Sequence, residues 1–215
     1  MFLHWPVDAA RLRALLPEGL ELETFDGRAW LGVVPFEMAE TRFRLLPKMP
    51  TAHRFPELNV RTYVRRGDRP GVWFFSLDAA SRVAVEGARF GFGLPYFRAR
   101  MTCERVGERV RYRSERRDRR GPPATFAADY GLFDVSAQPA RQGTLEHFLV
   151  ERYCLYATHR GRLVCGEIAH EPWRLSPVDV ELASNDMTRL LGFPLAGPPA
   201  SALVARPLDV AAWRY

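Results

Sequence analysis

Polar and apolar residues alternate along residues 57–64, a pattern typical of a β-strand. One face of this strand carries Glu57, Asn59, Arg61 and Tyr63, and the other carries aliphatic residues and a threonine. If the polar face points inward, its carboxylate, amide, guanidinium and phenol would form a ligand site. The spacing by itself favours the alternative, in which this face is exposed to solvent.

Two of these residues carry opposite charges but are too far apart to form an ion pair. Glu57 and Arg61 are four residues apart, roughly 13 Å along a strand that rises ~3.3 Å per residue. Each therefore needs another partner or a ligand. A further arginine, Arg89, is the best cation for an organic carboxylate, because a planar guanidinium can donate two parallel hydrogen bonds. The alternative is a structural role for Arg89, paired with Glu86 or with Glu57.

The stretch 88–101 combines residues that constrain the backbone with residues that could contact a ligand. It contains two glycines, a proline, three aromatic rings and a cation within nine positions. Gly91 and Gly93 permit a positive φ or a close backbone approach, and Pro95 fixes its own φ. We therefore expect a tightly shaped backbone here.

The same stretch resembles the Gly-Arg-Glu-x-x-Gly-x-Pro-Lys signature of the acetoacetate decarboxylase superfamily, which aligns with residues 88–96 without a gap. In that family the final lysine forms a Schiff base with a keto acid. Tyr96 stands at this position here, and Phe90 replaces the acidic residue of the signature. Because a phenol cannot form an imine, the resemblance implies the fold without that activity.

Across nearly its whole length, the chain resembles the YqjF-like family of uncharacterised bacterial proteins. This resemblance implies a single acetoacetate decarboxylase-like domain over residues 1–215. The expected fold class is α+β and mainly antiparallel, a curled sheet or barrel with a few short helices. The motifs that carry the resemblance are His4-Trp5-Pro6, Glu57-Leu58-Asn59-Val60-Arg61-Thr62-Tyr63-Val64, Leu94-Pro95-Tyr96-Phe97 and Glu151-Arg152-Tyr153-Cys154.

The superfamily resemblance also assigns the two candidate catalytic residues. Phe55-x-Glu57 resembles the aromatic-x-Glu element that lines the decarboxylase pocket, which implies that Glu57 faces a cavity. If the protein is an enzyme, Glu57 would act as the base. Tyr96 would donate a proton or a hydrogen bond where the relatives carry their amine. The alternative for Tyr96 is a core aromatic residue with a satisfied hydroxyl group.

Four further residues are candidates for binding the substrate. Arg61 or Arg89 would hold a carboxylate, and Asn59 lies on the same strand face as Glu57. Tyr153 is included because of the Glu-Arg-Tyr-Cys motif alone.

The expected ligand is a small organic acid or carbonyl compound, bound in an internal pocket and subject to acid-base chemistry without an imine. The sequence leaves open whether the protein is an enzyme at all. One alternative to this leading hypothesis is a non-enzymatic ligand-sensing or protein-interaction domain. The other alternative is nucleic-acid binding through an arginine-rich segment, which lacks a recognised motif. That segment contains Arg109, Arg111, Arg113, Arg116 and Arg117.

Composition bounds the remaining possibilities. The 215 residues are 47% hydrophobic and 12% aromatic, enough for one sizeable core. The net charge of +6 is weak evidence for an acidic partner, because acidic residues are interspersed among the arginines. Lys48 is the only lysine, so side-chain amine chemistry depends on this residue.

The cysteines and histidines give no sign of a disulfide framework, a metal site or another cofactor. The cysteine count is odd, no Cys-x-x-Cys pair occurs, and the five histidines lack metal-ligand spacing. We expect a cytoplasmic protein without a targeting or membrane-spanning segment. Superfamily relatives commonly self-associate, so a homo-oligomer is expected.

Local patterns predict many short strands and few helices. The predicted helices are 8–15, capped by Asp8, 144–150, capped by Thr144, and 185–191, capped by Asn185. The predicted strands are 20–25, 29–38, 57–64, 72–79, 101–105, 109–114, 153–158, 163–170, 178–182 and 203–213. The predicted loops are 42–54, which could cover a site, and 116–123.

Overall fold

The protein is described from a computed structural model, which covers residues 1–39, 54–195 and 197–214. Its strands are β1 (Phe2–Val7), β2 (Glu21–Leu22), β3 (Ala29–Ala39), β4 (Arg54–Arg66), β5 (Arg69–Ala79), β6 (Tyr96–Val106), β7 (Arg109–Arg116), β8 (Thr125–Gly131), β9 (Gln138–Pro139), β10 (Cys154–His159), β11 (Arg162–Ala169), β12 (Arg174–Pro177), β13 (Val180–Asn185), β14 (Ser201–Ala205) and β15 (Ala211–Arg214). Its helices are α1 (Ala9–Arg13), α2 (Arg82–Phe92) and α3 (Leu145–Val150), and a 3₁₀ turn spans Arg189–Leu191.

The strands form an open, curled and mainly antiparallel sheet, as the sequence predicts. Its main path runs β13-β8-β7-β6-β5-β4-β3-β1-β14-β12-β9. One edge of β5 is shared by two parallel neighbours, β10 at residues 71–73 and β6 at residues 77–79. The sheet therefore divides along β5, with β10, β11 and β15 on one branch.

Strand β4 lies between two hydrophobic cores, one on each face. Leu58 and Val60 belong to a core with Tyr112 on one side, and Tyr63 belongs to a second core on the other. The side that carries Tyr63, with the rest of the polar row, is called the inner face below. Leu149 of α3 belongs to the inner-face core and is fully buried. Burial on both sides excludes water from residues 57–64 of this strand.

The short helices α1 and α3 begin where the sequence predicts. The Asp8 side chain accepts a hydrogen bond from the main-chain N–H of Arg11, which caps α1. The Thr144 side chain accepts one from the N–H of His147, which caps α3. The predicted hairpins at 101–114 and 153–170 are also present as β6–β7 and β10–β11.

Helix α2 was not expected, because its glycines and aromatic residues indicate a turn. Ser81 caps it, and the buried residues Ala84, Val85 and Ala88 form the stripe that packs on the sheet. Gly91 lies inside the helix, contrary to the expectation of a special backbone conformation there. Gly93 has φ of 68° and ends the helix, as expected.

Two other sequence expectations for the C-terminal part are wrong. Asn185 is the last residue of β13 and does not cap a helix; only the short 3₁₀ turn follows. The expected strand 203–213 is divided into β14, which pairs with β1, and β15, which pairs with β11. Pro207 lies between them and has no N–H for a sheet ladder.

The two loops predicted at 42–54 and 116–123 differ in how far the structure describes them. The expected loop 42–54 falls outside the described residues, except for Arg54, which begins β4. Arg116, placed in a loop by composition, is the last residue of β7.

Among the described helices, none combines the length and apolar character required to cross a bilayer.

Candidate functional site

The polar row of β4 is buried on the inner face. Glu57 is 3% exposed, Asn59 5%, Arg61 9% and Tyr63 0%. The expectation from spacing alone, a solvent-exposed face, is therefore wrong. Alternation predicts which side chains share a face, whereas the curl of the sheet and the packing of α3 determine that this face is inside.

Glu57 and Tyr96 meet on this face. The Tyr96 hydroxyl oxygen lies 3.1 Å from each carboxyl oxygen of Glu57. Tyr96 is the first residue of β6 and pairs with Leu77, next to the left-handed turn at Gly93. The hydroxyl of Tyr112 donates to the main-chain carbonyl of Glu57 at 2.7 Å and holds the strand from the opposite face.

Burial raises the pKa values of both Glu57 and Tyr96 and so determines their protonation states. Desolvation raises the pKa of Glu57 to about 8, the hydrogen bond from Tyr96 opposes the rise, and the charge of Asp78 adds to it. Burial and the neighbouring Glu57 charge raise the pKa of Tyr96 well above its usual value. Near neutral pH, Glu57 is therefore mainly a neutral acid and Tyr96 remains a phenol. A carboxyl group poised near neutral pH can both accept and release a proton.

A buried ion pair lies beside this pair and was missed by the sequence reasoning. Arg116 binds Asp78 through Nε and Nη2, with N–O distances of 2.8 to 3.1 Å, and neither side chain is exposed. The Arg116 guanidinium also lies 4.3 Å from the centre of the Phe97 ring. No local pattern links residues 38 positions apart in the chain, so spacing could not have revealed this contact.

A second polar group lies further along the inner face, around Tyr63. The Tyr63 hydroxyl is 2.6 Å from Nε2 of His4. Arg61 Nη2 donates to the Leu149 carbonyl at 3.0 Å. Arg152 is buried, is paired with Glu23, and lies 5.4 Å from the Tyr63 ring centre.

His4 and Arg152 were not selected as site residues from the sequence. A signal was present for both, because His4-Trp5-Pro6 and Glu-Arg-Tyr-Cys were among the motifs of the resemblance. The second motif directed attention to Tyr153, whereas its buried members are Arg152 and Cys154.

Arg89 and Tyr153 have other contacts. Arg89 donates to the main-chain carbonyl of Tyr96 at 2.7 Å and lies 5.8 Å from the Phe97 ring centre. It pairs with neither Glu86 nor Glu57 in the described structure; Glu86 pairs with Arg120. Tyr153 is 38% exposed, donates to Glu151 and stacks on His170.

The arginine-rich segment does not form an unpaired basic surface. Arg116 is in the buried pair, and the other four arginines contact carboxylates on the same or neighbouring strands and loops. The pairs are Arg109 with Asp179 and Glu181, Arg111 and Arg113 with Asp129, and Arg117 with Glu115. This charge pairing argues against a phosphate-binding stripe.

Two further observations concern cavities and metals in the described residues. A cavity of about 420 Å³ is lined by Trp5, Leu182, Asn185 and Leu195 among others, and none of the predicted site residues lines it. Within ranges 1–39, 54–195 and 197–214, no group of three or more His, Cys, Asp or Glu side chains is arranged to hold a metal ion.

Comparison with solved structures identifies the fold. The chain aligns over 99% of its length with acetoacetate decarboxylase from Legionella pneumophila, at 15% identity and a TM-score of 0.54, covering 78% of that chain. It aligns similarly with the enduracididine biosynthesis enzyme MppR in complex with pyruvate, at 16% identity and a TM-score of 0.58, covering 83% of that chain. At these identities the likeness establishes the fold alone.

Sequence comparison identifies the family. The chain is 43% identical over 214 residues to the uncharacterized protein YqjF of Bacillus subtilis (strain 168), covering 99% of this chain and 87% of that protein. Residues 1–209 match the family model DUF2071, described as an uncharacterized conserved protein. The chain therefore belongs to the DUF2071 family and has an acetoacetate decarboxylase-like fold.

Proposed function

We propose that the inner face binds a small organic acid or carbonyl compound and that Glu57 and Tyr96 transfer a proton at its carbonyl end. The observation that carries this proposal is the buried Glu57–Tyr96 contact, in which desolvation raises the pKa of the carboxyl to about 8. A buried carboxyl that titrates near neutral pH has a stability cost for the fold and is characteristic of catalytic sites.

The proposed step is enolisation. The Glu57 carboxylate removes a proton from the carbon next to the carbonyl group, and the C–H electron pair forms the C=C bond of an enolate. The carbonyl electron pair moves to oxygen, where the Tyr96 hydroxyl stabilises it by a hydrogen bond. Return of the proton from Glu57 to carbon closes the cycle. No amine takes part, in keeping with the tyrosine at the Schiff-base position.

The other predicted residues take separate roles in this proposal. Asn59 and Arg61, on the same strand face, would bind polar and anionic groups of the ligand. Arg89 would position Tyr96 through the carbonyl that it binds. We assign Tyr153 no role, because its hydroxyl group is engaged with Glu151 at the surface.

The structural neighbours suggest which compounds to test first. One neighbour is described in complex with pyruvate, and another structure of the same enzyme holds the condensation product of pyruvate and imidazole 4-carboxaldehyde. Short 2-oxo acids are therefore the first compounds to test as ligands of this chain.

The test is proton exchange in D₂O. Wild-type protein should accelerate loss of the methyl proton signal of pyruvate or of a related 2-oxo acid, followed by NMR. Glu57→Gln should lower the catalysed rate by about 10²-fold or more, and Tyr96→Phe should also lower it. Because the base is the carboxylate, the rate should rise as pH increases through about 8. Tyr153→Phe is the matched control and should behave as wild type.

Three outcomes would contradict the proposal. Exchange that is unaffected by Glu57→Gln would exclude the proposed base. A covalent adduct trapped by borohydride would show imine chemistry instead. Binding of 2-oxo acids without any exchange would favour the alternative, a ligand-sensing domain.

A further inference from the structure

The proposed proton transfer requires a ligand to reach a carboxyl group that the fold covers. Glu57 is 3% exposed, and both of its carboxyl oxygens contact the Tyr96 hydroxyl. A base must come within hydrogen-bonding distance of the proton that it removes. An element above Glu57 therefore has to move before a ligand carbon can occupy this position.

Helix α2 lies over this end of the inner face. Ala79 is the cross-strand neighbour of Glu57, and Phe55 lies two residues before Glu57 on the same face of β4. Both belong to a small core with the first turns of α2, and Tyr96 packs against this core. The helix thus covers residues on both sides of the Glu57–Tyr96 contact.

The contacts that hold α2 on the sheet bury little apolar area. Its buried stripe consists of the small side chains Ala84, Val85 and Ala88. The opposite side of the helix is exposed, including the Phe90 ring at 83%. The helix contains two glycines and ends at a third, Gly93, in the left-handed conformation. Because an isolated helix of 11 residues is marginal in water, α2 has the low local stability of an element that opens without global unfolding.

An ion pair to a separate loop holds the exposed side of α2. Arg120 donates to both carboxyl oxygens of Glu86, at 2.7 and 3.0 Å. The loop that carries Arg120 is itself fixed, because Asp118 accepts hydrogen bonds from the main-chain N–H groups of Arg98 and Arg120. The side chains of Arg120 and Glu86 are 39% and 55% exposed, so water screens their attraction and the pair separates readily.

The last turn of α2 links the helix to Tyr96. Arg89 Nη1 donates to the main-chain carbonyl of Tyr96 at 2.7 Å. This bond exists only while the helix lies on the sheet, so opening would release the residue whose hydroxyl contacts Glu57. One movement therefore controls both the access of a ligand and the alignment of the phenol.

We propose that α2 is a lid, which opens to admit the ligand to Glu57 and aligns Tyr96 when it closes, and that the Arg120–Glu86 pair is its latch. This role rests on the proposed function, because the proton transfer is what requires access. Arg120 is a positioning residue, since it acts through α2. Closure also excludes water from the reacting groups, as in other enzymes that close a segment over the ligand.

Thiol accessibility measures the opening of α2 without any ligand. Ala88→Cys places a thiol on the buried side of α2, and Ala128→Cys places one on β8, in the core on the other face of β4. Both variants are labelled with a methanethiosulfonate reagent in native buffer, and peptide mass spectrometry separates these sites from the three native cysteines. The thiol of Ala88→Cys should react about tenfold faster or more, because it needs only local opening.

Substitutions in the latch should speed this labelling. Glu86→Gln, combined with Ala88→Cys, should raise the labelling rate about threefold, because it removes one exposed ion pair. Arg120→Met should have the same effect, and neither substitution should change the labelling of Ala128→Cys. Glu115→Gln is the matched control, since it removes the neighbouring exposed pair with Arg117 and should leave the rate unchanged.

Equal labelling of Ala88→Cys and Ala128→Cys would show that α2 opens only on global unfolding and would overturn the lid. A rate unaffected by both Glu86→Gln and Arg120→Met would overturn the latch. If Ala88→Cys does not fold, Ala84→Cys on the same stripe provides the second variant.

A second measurement connects the lid to the ligand. A 2-oxo acid that undergoes catalysed proton exchange should slow the labelling of Ala88→Cys, because the closed lid holds the ligand. Unchanged labelling with such a compound would contradict the coupling between lid and site. Labelling that behaves as expected, without any catalysed exchange, would contradict the proposed function and leave the opening of α2 established.

Discussion

Burial gives Glu57 its distinctive chemistry at the residue scale. A carboxyl group in water is ionised at neutral pH, whereas desolvation raises the pKa of this one to about 8. The folded protein therefore binds a proton at Glu57 over a pH range in which the unfolded chain has released it. Stability must then depend on pH through this single side chain.

We predict that wild type loses stability relative to Glu57→Gln as pH rises from about 5 to 8. In this range the folded state holds more protons than the unfolded state, so increasing pH favours unfolding, by up to roughly 1.4 kcal/mol per pH unit. Urea unfolding at each pH measures the difference. Glu104→Gln, at an exposed position, should track wild type. A wild-type to Glu57→Gln difference that is independent of pH would contradict the raised pKa.

The sequence predicts individual residues better than it predicts their contacts. Alternation correctly groups Glu57, Asn59 and Arg61 on one face, but it does not indicate the direction of that face. The Glu57–Tyr96 contact joins residues 39 positions apart, and it was expected only through the resemblance to the decarboxylase superfamily. His4 and Arg152 both lie in motifs of the resemblance, but their contacts could not be predicted, because these depend on how separate strands and a helix converge on Tyr63.

At the element scale, the end of α2 determines where Tyr96 begins its strand. Gly93 adopts a left-handed conformation, and a Cβ atom there would lie 2.7 Å from the main-chain oxygen of Thr158. The chain thus leaves the helix in contact with β10 and enters β6 three residues later. The glycine is required both by its dihedral angle and by the proximity of another backbone.

We predict that Gly93→Ala destabilises the protein by about 1–3 kcal/mol, because the left-handed backbone and the contact with Thr158 both oppose a methyl group. Gly87→Ala, inside the same helix and with nothing within 4 Å of the new Cβ, should stabilise by about 0.5–1 kcal/mol. Chemical denaturation of both variants gives the comparison. Equal effects of the two substitutions would show that the end of α2 does not require glycine.

The elements differ in how far their sequence predicts them. Hairpins and helix starts are encoded by local turn and capping residues, so β6–β7, β10–β11 and α3 are predicted well. Helix α2 is not, because its packing against the sheet outweighs the low helix propensity of its two glycines. The break between β14 and β15 depends on which neighbouring strand each segment finds.

At the scale of the whole molecule, β4 and β5 connect what would otherwise be separate halves. Residues of β4 contribute to the cores on both faces of the sheet, and β5 holds both branches of the sheet. Disruption of one core therefore exposes the same strands that the other core needs. We propose on this basis that residues 1–215 form a single domain.

We predict one cooperative unfolding transition. Far-UV circular dichroism, which reports the sheet, and tryptophan fluorescence should give the same midpoint in urea, because Trp5 and Trp30 lie in the two different cores. Single-tryptophan variants that keep only one of these residues provide the control. Separate midpoints for the two would show two independently folding units.

Gly32 has a consequence for reading other sequences of this kind. Because His4 and Arg61 approach each other only above a position that lacks a side chain, the residue found there works as a marker that can be read without coordinates. A chain with glycine at this position can keep the imidazole and the Arg61 side chain packed over the strand, 3.2 and 3.3 Å from where a Cβ atom would lie. A chain with valine or leucine there would place methyl groups where these two side chains lie, and we would expect at least one of them to be displaced or replaced while the fold is kept.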